Sequence, residues 1–193
     1  MNQTRRTQAQ RRAETHQQVL DSACQLFAEK GFANTSLEDI ASNCGLTTRP
    51  VYHYFGNKLK LFQAAYEQMM IHILNQLETL EGATPLERLS QHWKTFLDMS
   101  DDPGFRQIVL IDGPNILGHE AWINSLVTQK AHNLFGSLPA ESQEEKFQQQ
   151  MLGRMLIGAL AQAALMVAEA EDRSMAKQQA TRIVENILSA SMP

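Results

Sequence analysis

The chain has 193 residues, enough for one large domain or two small ones, and its 43% hydrophobic content supports a buried core and excludes a disordered chain. No alternating strand pattern of any length occurs, and Ala, Leu, Gln, Met and Glu are plentiful, so the fold class reads as all-α. The net charge of −4 is unevenly spread: residues 1–60 carry eight Lys or Arg against five Asp or Glu, a net +3, leaving −7 on the remainder, a basic head on an acidic body.

Residues 1–12 are polar and basic, with Arg5, Arg6, Arg11 and Arg12 and no apolar periodicity. They read as a flexible arm, either a solvated terminus or a tail that meets phosphate or enters a minor groove. A first helix is predicted over 13–30, with Leu20, Ala23, Cys24 and Phe27 as its buried stripe; Gly31 ends it and Phe32 folds back onto the core. The two cysteines, Cys24 and Cys44, both fall on apolar faces and read as small buried side chains. The polar N-terminus has no apolar segment of the signal-peptide kind. The longest apolar run, 155–168, is too short to span a bilayer. A cytoplasmic protein with no membrane partner is therefore expected.

Residues 35–58 hold the most informative pattern. Thr35 and Glu38 have the spacing of a capping box. Leu37, Ile40, Ala41 and Cys44 then share one helix face, and Gly45 supplies the positive φ that ends the helix. Thr47 can cap the next helix, whose inward residues are Val51 and Phe55. A small residue at the crossing, a glycine in the turn and a valine in the angle make a helix-turn-helix, which places its second helix in a DNA major groove.

Leu26-Phe27, Gly31-Phe32, Thr35-Ser36, Ile40-Ala41, Cys44-Gly45-Leu46-Thr47, Tyr52, Tyr54-Phe55, Lys58 and Leu61 stand where the TetR family of one-component transcriptional regulators has them. The chain resembles that family over about 50 residues at this end. The resemblance implies that DNA is contacted by Thr48, Arg49, Pro50, Tyr52, His53 and Tyr54 on the recognition helix, with Thr35 and Lys58 flanking it. The side-chain chemistry agrees: Thr35 sits at a helix start where amides favour phosphate, Tyr52 follows Val51 and so points outward, and Lys58 stands beside Asn57, the expected cap of the fourth helix. One place departs from the family, which usually has Gly and a small residue where this chain has Arg49 and Pro50. Proline is tolerated in a first helical turn, and Arg49 can bond guanine O6 and N7. The operator is thus not transferable from a relative.

Beyond the head, a long fourth helix is expected over 58–80, with Phe62, Tyr66, Met69, Ile73, Leu77 and Leu80 as its seam, followed by a break at 82–84. Thr84, Pro85 and Glu87 start a fifth helix that ends near 101–104. Further helices are expected over 104–111, 120–135, 142–170 and 174–191, about nine in all. The domains are then a helix-turn-helix unit over 13–57 and a ligand-binding and dimerisation domain over 58–193. The stretch 108–118 also resembles one branch of TetR-family C-terminal domains.

The helix over 142–170 is apolar nearly all round from 155 to 168 and rich in Gly and Ala, so it must be covered on every side. Pairing of the last two helices with those of a second copy, as a four-helix interface, covers it economically, and the resemblance implies the same homodimer. Its other side faces the body, where Trp93, Phe96, Met99, Phe105, Ile108, Trp122, Leu126, Met151, Met155 and Gln162 form either a plain core or the lining of a cavity. The resemblance implies a pocket for a small-molecule effector.

None of the six histidines follows a Glu by three residues, and there is no HExxH, no CxxC and no Gly-rich phosphate loop. No catalytic residue, metal site or cofactor is expected. The overall expectation is a ligand-responsive transcriptional regulator, a repressor that binds a palindromic double-stranded operator as a homodimer and is released by a small molecule. The alternative is a helical small-molecule-binding protein or enzyme whose helix-turn-helix is structural.

Overall fold

The computed structural model describes residues 7–80 and 84–190. Among them are ten α-helices and one π-helical stretch, and no strand. The all-α expectation holds, with more and shorter pieces than the nine helices read from the sequence.

The head is α1 (Gln8–Lys30), α2 (Leu37–Asn43) and α3 (Thr48–Phe55). α1 begins at Gln8, not at 13, because Thr7 and Gln10 form a capping box: the Thr7 N–H donates to Gln10 Oε1 at 2.8 Å, and the Gln10 N–H to Thr7 Oγ1 at 3.2 Å. The first turns of α1 are solvent-exposed, so no apolar period announces them. Arg11 and Arg12 of the expected arm are therefore helical, while Arg5 and Arg6 lie outside the described residues. Val19, Ala23 and Phe27 of α1 are fully buried against Ile40, Val51, Leu61 and Phe62. Two hydrogen bonds tie α2 to α1: Ser22 Oγ donates to the Ile40 carbonyl at 2.9 Å, and Asn43 Nδ2 donates to Ser22 Oγ at 3.0 Å.

α4 (Lys58–Glu78) runs out of the head into the body, about 30 Å at 1.5 Å per residue. Its N-terminal half buries Leu61, Phe62 and Ala65, and its C-terminal half buries Tyr66, Met70, Ile73 and Leu77. One apolar core runs from Val19 in α1 to Val167, across the position where the sequence places the domain boundary.

The body continues with α5 (Pro85–Met99), capped by Thr84. The π-helix Phe105–Asp112 follows and passes directly into α6 (Gly113–Leu117). A Cβ on Gly113 would lie 2.7 Å from the Tyr66 ring, so only glycine lets this segment cross α4 so closely. The helix expected over 120–135 is broken in two, α7 (His119–Ile123) and α8 (Leu126–Gly136). Ser125 makes the break: its Oγ accepts the Thr128 N–H at 3.2 Å and caps the new helix.

The last two helices are α9 (Gln143–Glu169) and α10 (Arg173–Ala190). α9 crosses α8 at Gly153, where a Cβ would meet the Phe135 ring at 2.7 Å. By length and composition its 27 residues pass the test for a membrane-crossing helix, a test that the core helix of a soluble protein also passes. Only 33% of its most apolar stretch is buried within the chain. Phe147, Met155 and Met166 of α9 are 61%, 66% and 72% exposed, and Ile183 of α10 is 56% exposed. The apolar residues of α10 are split: Val184 and Leu188 turn inward, while Ile183 and Ile187 turn outward.

Candidate nucleic-acid interface and effector cavity

α3 is anchored by Val51 and Phe55, four residues apart and buried against the head core. Burial of two such side chains stabilises the helix by several kcal/mol, at about 1.5–3 kcal/mol each. The anchors decide what faces outward. Arg49 and His53 are exposed and Tyr52 is half-exposed, while Thr48 and Pro50 lie partly covered in the first turn. Arg49 makes no hydrogen bond or ion pair with any described residue, so its fork of five donors is uncommitted.

Tyr54 is partly covered. Its ring meets His16 of α1 edge-on at 5.6 Å and His53 at 5.1 Å, and His16 also lies 4.6 Å from the Phe55 ring. His16 thus braces the C-terminal turn of the recognition helix. Its place four residues before Leu20 continues the α1 stripe, but the contact itself depends on α3 lying across α1.

Lys58 is held where the head meets α4. Its ammonium lies 3.4 Å from the Ala33 carbonyl oxygen and 4.3 Å over the Phe32 ring. Asn57 beside it caps α4, its Oδ1 accepting the Lys60 N–H at 2.9 Å. Tyr52, Asn57 and Lys58 line one open groove together with the start of α2.

Thr35 needs a correction. The residue is 1% exposed, and its Oγ1–H points at the Gly31 carbonyl (2.8 Å) and the Leu26 carbonyl (3.2 Å). Its hydroxyl ties the α1–α2 turn together and does not face solvent. The cap of α2 is Ser36, in a capping box with Asp39: Asp39 Oδ2 accepts from the Ser36 N–H at 3.0 Å and from its hydroxyl at 2.6 Å. The hydrogen bond from the Ser36 hydroxyl holds the Asp39 carboxyl below the usual carboxylate range. A carboxylate already occupies that helix end, where free amides for a phosphate were expected.

The head is also latched to the body. Asp112, the last residue of the π-helix, accepts the Phe32 N–H at 2.7 Å and the Gln107 side-chain N–H at 3.1 Å, both on Oδ2. Gly31 precedes this contact with φ +75°, and a Cβ there would lie 3.0 Å from Gln107 Nε2. A non-glycine residue would be both strained and crowded.

In the body, α4, α5, α8, α9 and α10 line a half-open apolar cavity of about 60 Å³. Of the ten residues expected to line a pocket, Trp93 and Phe96 do. Phe105 and Trp122 pack behind Phe96, with ring centroids 5.0 and 5.6 Å from it, and Ile108 and Met99 belong to the same core. Four expectations are corrected. Met151, Met155 and Gln162 are exposed on the outer face of α9, and Leu126 is 52% exposed on a separate groove beside α7. α9 is apolar on so many sides that its sequence did not show which side faces inward. The cavity-lining residues missed include Leu77, Leu89, His92, Phe135 and Leu188. They come from helices whose relative rotation no local pattern records.

The profile described as bacterial regulatory proteins, tetR family, matches residues 19–65, and the tetracyclin repressor-like C-terminal domain profile matches residues 86–191. The chain is 29% identical over 151 residues to the Transposon Tn10 TetC protein of Escherichia coli, covering 75% of each chain. It is 28% identical over 133 residues to the transcriptional repressor NicS of Pseudomonas putida, covering 67% of this chain and 56% of NicS. A solved TetR-family transcriptional regulator from Pectobacterium atrosepticum superposes with a TM-score of 0.74 at 28% identity, over 97% of this chain and 98% of that one. The match to the C-terminal profile alone takes in more than half of the sequence, beside an anchored helix-turn-helix, and the chain belongs to the TetR family of bacterial transcriptional regulators.

Proposed function

We propose that the protein is a cytoplasmic, homodimeric repressor that reads a palindromic double-stranded operator and releases it when a small molecule fills the body cavity. The observation that carries the reading is the recognition helix itself. Val51 and Phe55 fix α3 to the head, and Arg49, Tyr52 and His53 stand outward, Arg49 without a hydrogen bond or ion pair to any described residue. Arg49 fits bidentate readout of guanine, Tyr52, Thr48 and Lys58 fit phosphate or sugar positioning, and Pro50 and Tyr54 shape the helix surface.

The dimer is supported by the outward side chains of α9 and α10. Met155, Met166 and Ile183 are each more than half exposed and lie on adjacent helices, a patch that a second copy would cover symmetrically. A dimer of this kind would present two α3 helices to successive major grooves about 34 Å apart, hence the palindrome. No catalytic role is proposed, and no cofactor.

The test is fluorescence anisotropy with the duplex that lies upstream of the protein's own gene. Arg49→Ala is expected to cost about 1–3 kcal/mol of operator affinity and to relax base preference at one position per half-site, with folding unchanged. Met155→Asp is expected to shift the protein toward monomer in sedimentation and to weaken operator binding with it. Full operator affinity in the Arg49→Ala, Tyr52→Ala double variant would refute the interface, and operator binding by a monomer would refute the palindrome.

A further inference from the structure

The body cavity also bears on what the effector is made of, an inference that rests on the effector-released regulator proposed above. None of the side chains lining the cavity is charged. Its titratable member is His92, whose imidazole is held below its ordinary range first by burial and then by the nearby Lys130 charge, so it is neutral at pH 7. A carboxylate or ammonium entering here would lose its hydration and find no counter-ion on the walls.

Trp93, one of the lining residues, carries an unused donor that is closed off from the cavity until a wall moves. The Trp93 indole Nε1–H is buried and has no acceptor among the described residues. An indole nitrogen can only donate, and a buried donor without a partner forgoes the bond it made to water when unfolded. Nothing on the apolar walls Leu77, Leu89, Phe135, Ile157 and Leu188 can supply an acceptor from a side chain.

We propose that the effector is an uncharged, largely apolar molecule carrying a hydrogen-bond acceptor, such as a carbonyl or ether oxygen, that takes the Trp93 indole N–H. Size adds a condition. The cavity of about 60 Å³ is well below the about 150 Å³ of an engineered apolar cavity that takes up benzene. A ring-sized effector must therefore displace a wall, and Phe96 and Leu77 are the walls that border other structural elements.

The test uses three probes of one shape on the full-length protein. Acetophenone offers a carbonyl acceptor, α-methylstyrene replaces that oxygen with a CH₂, and benzoate carries a charge. The readout is the indole region of an ¹⁵N-correlated proton spectrum, which holds two signals because the chain has two tryptophans, and Trp93→Phe assigns them. Acetophenone is expected to bind about five-fold more tightly than α-methylstyrene, the value of one ordinary hydrogen bond, and to move the Trp93 signal downfield. Benzoate is expected to bind more weakly than either. In Trp93→Phe the two neutral probes should bind equally.

Equal binding of acetophenone and α-methylstyrene to the wild type refutes the acceptor, as happens if a trapped water already serves the N–H. Tightest binding by benzoate refutes the neutral effector. If no probe moves either indole signal, the inference falls, while the effector-released reading is judged apart from it, by whether any small molecule releases the operator in the anisotropy assay. The three-probe comparison on the wild type decides the proposal even if Trp93→Phe fails to fold.

Discussion

Replacing Asp112 tests whether the head is positioned by the body. Its Oδ2 accepts the Phe32 N–H at 2.7 Å and the Gln107 amide at 3.1 Å, so Asp112→Ala leaves a part-buried backbone donor without its partner. A hydrogen bond to a charged group contributes about 1.5–3 kcal/mol. Asp112 is partly exposed, so water can reach the orphaned groups and the lower end applies, about 1.5 kcal/mol. For a chain of this size that is a fall in melting temperature of about 3–6 °C. Asp112→Asn keeps one oxygen acceptor for Phe32 and should lose about 0.5 kcal/mol. Thermal unfolding followed by circular dichroism measures both, beside operator affinity in the same buffer. If the contact sets the pose of the head, Asp112→Ala also weakens operator binding although no outward residue of α3 has changed. A variant that melts within about 1 °C of the wild type, where loss of these hydrogen bonds would cost several degrees, would refute the latch.

Other substitutions test the remaining corrections and contacts. Gly153→Ala places a methyl 2.7 Å from the Phe135 ring, and overpacking of about 1–3 kcal/mol, less about 1 kcal/mol of regained helix propensity, leaves a net loss measurable by urea unfolding. Thr35→Val removes the buried hydroxyl that bonds Gly31 and Leu26 and should cost about 1–2 kcal/mol of stability while leaving the salt dependence of DNA binding unchanged. A reduced salt slope would restore Thr35 as a phosphate contact. His92 has a folded-state pKa below 6.5, so its neutral form is the one the fold favours: the stability it permits is full above 6.5 and is lost as pH falls from there through the folded value. The wild type should therefore lose more stability between pH 7 and 5 than His92→Gln does in thermal melts, and parallel curves would contradict the assignment.

The helix-turn-helix was legible because its rules are local. The inward Leu37, Ile40, Val51 and Phe55 and the turn at Gly45 fall within a few residues of one another, so one-dimensional spacing carries the three-dimensional result; Thr47 stands at the start of α3 as expected but makes no side-chain cap hydrogen bond. The error at Thr35 is also local. Thr35 with Glu38 and Ser36 with Asp39 are two capping boxes one residue apart, and propensity does not separate them. The core of the head does, because a helix capped by Ser36 lets Thr35 turn inward to close the Gly31 turn. The start of α1 was missed for the opposite reason. Its first turns bury nothing, and the Thr7–Gln10 box was the only mark they left.

The body was harder because its information is relational. α9 has apolar residues on nearly every side, and which of them face the cavity depends on how α8 and α10 lie against it. Gly153 settles the rotation: Phe135 occupies the space where its Cβ would be, so this face turns inward and Met151, Met155 and Gln162 turn out. Three residues expected in the pocket thereby become part of the surface that a second copy would cover. The sequence reading gave α9 an inner and an outer use and placed these side chains on the inner one, whereas they stand exposed on the outer face.

The same geometry limits which molecules can act as effectors on the proposed reading. Phe96 borders the cavity and touches Phe105 at 5.0 Å, Phe105 opens the π-helix, and Asp112 at its far end holds the Phe32 N–H of the head. Leu77 borders the same cavity from α4, whose first residue, Lys58, sits against the head at Ala33 and Phe32. A ligand shifts an equilibrium only by its difference in affinity for the two arrangements. A molecule small enough to enter about 60 Å³ without moving Phe96 or Leu77 binds both arrangements alike and leaves the operator bound, however tight its binding. An occupant that fits only after one of those walls has moved binds the altered arrangement better, and that difference is what can release DNA. Among neutral acceptors of increasing size, operator release should therefore begin at the size that displaces a wall, not at the size that first binds.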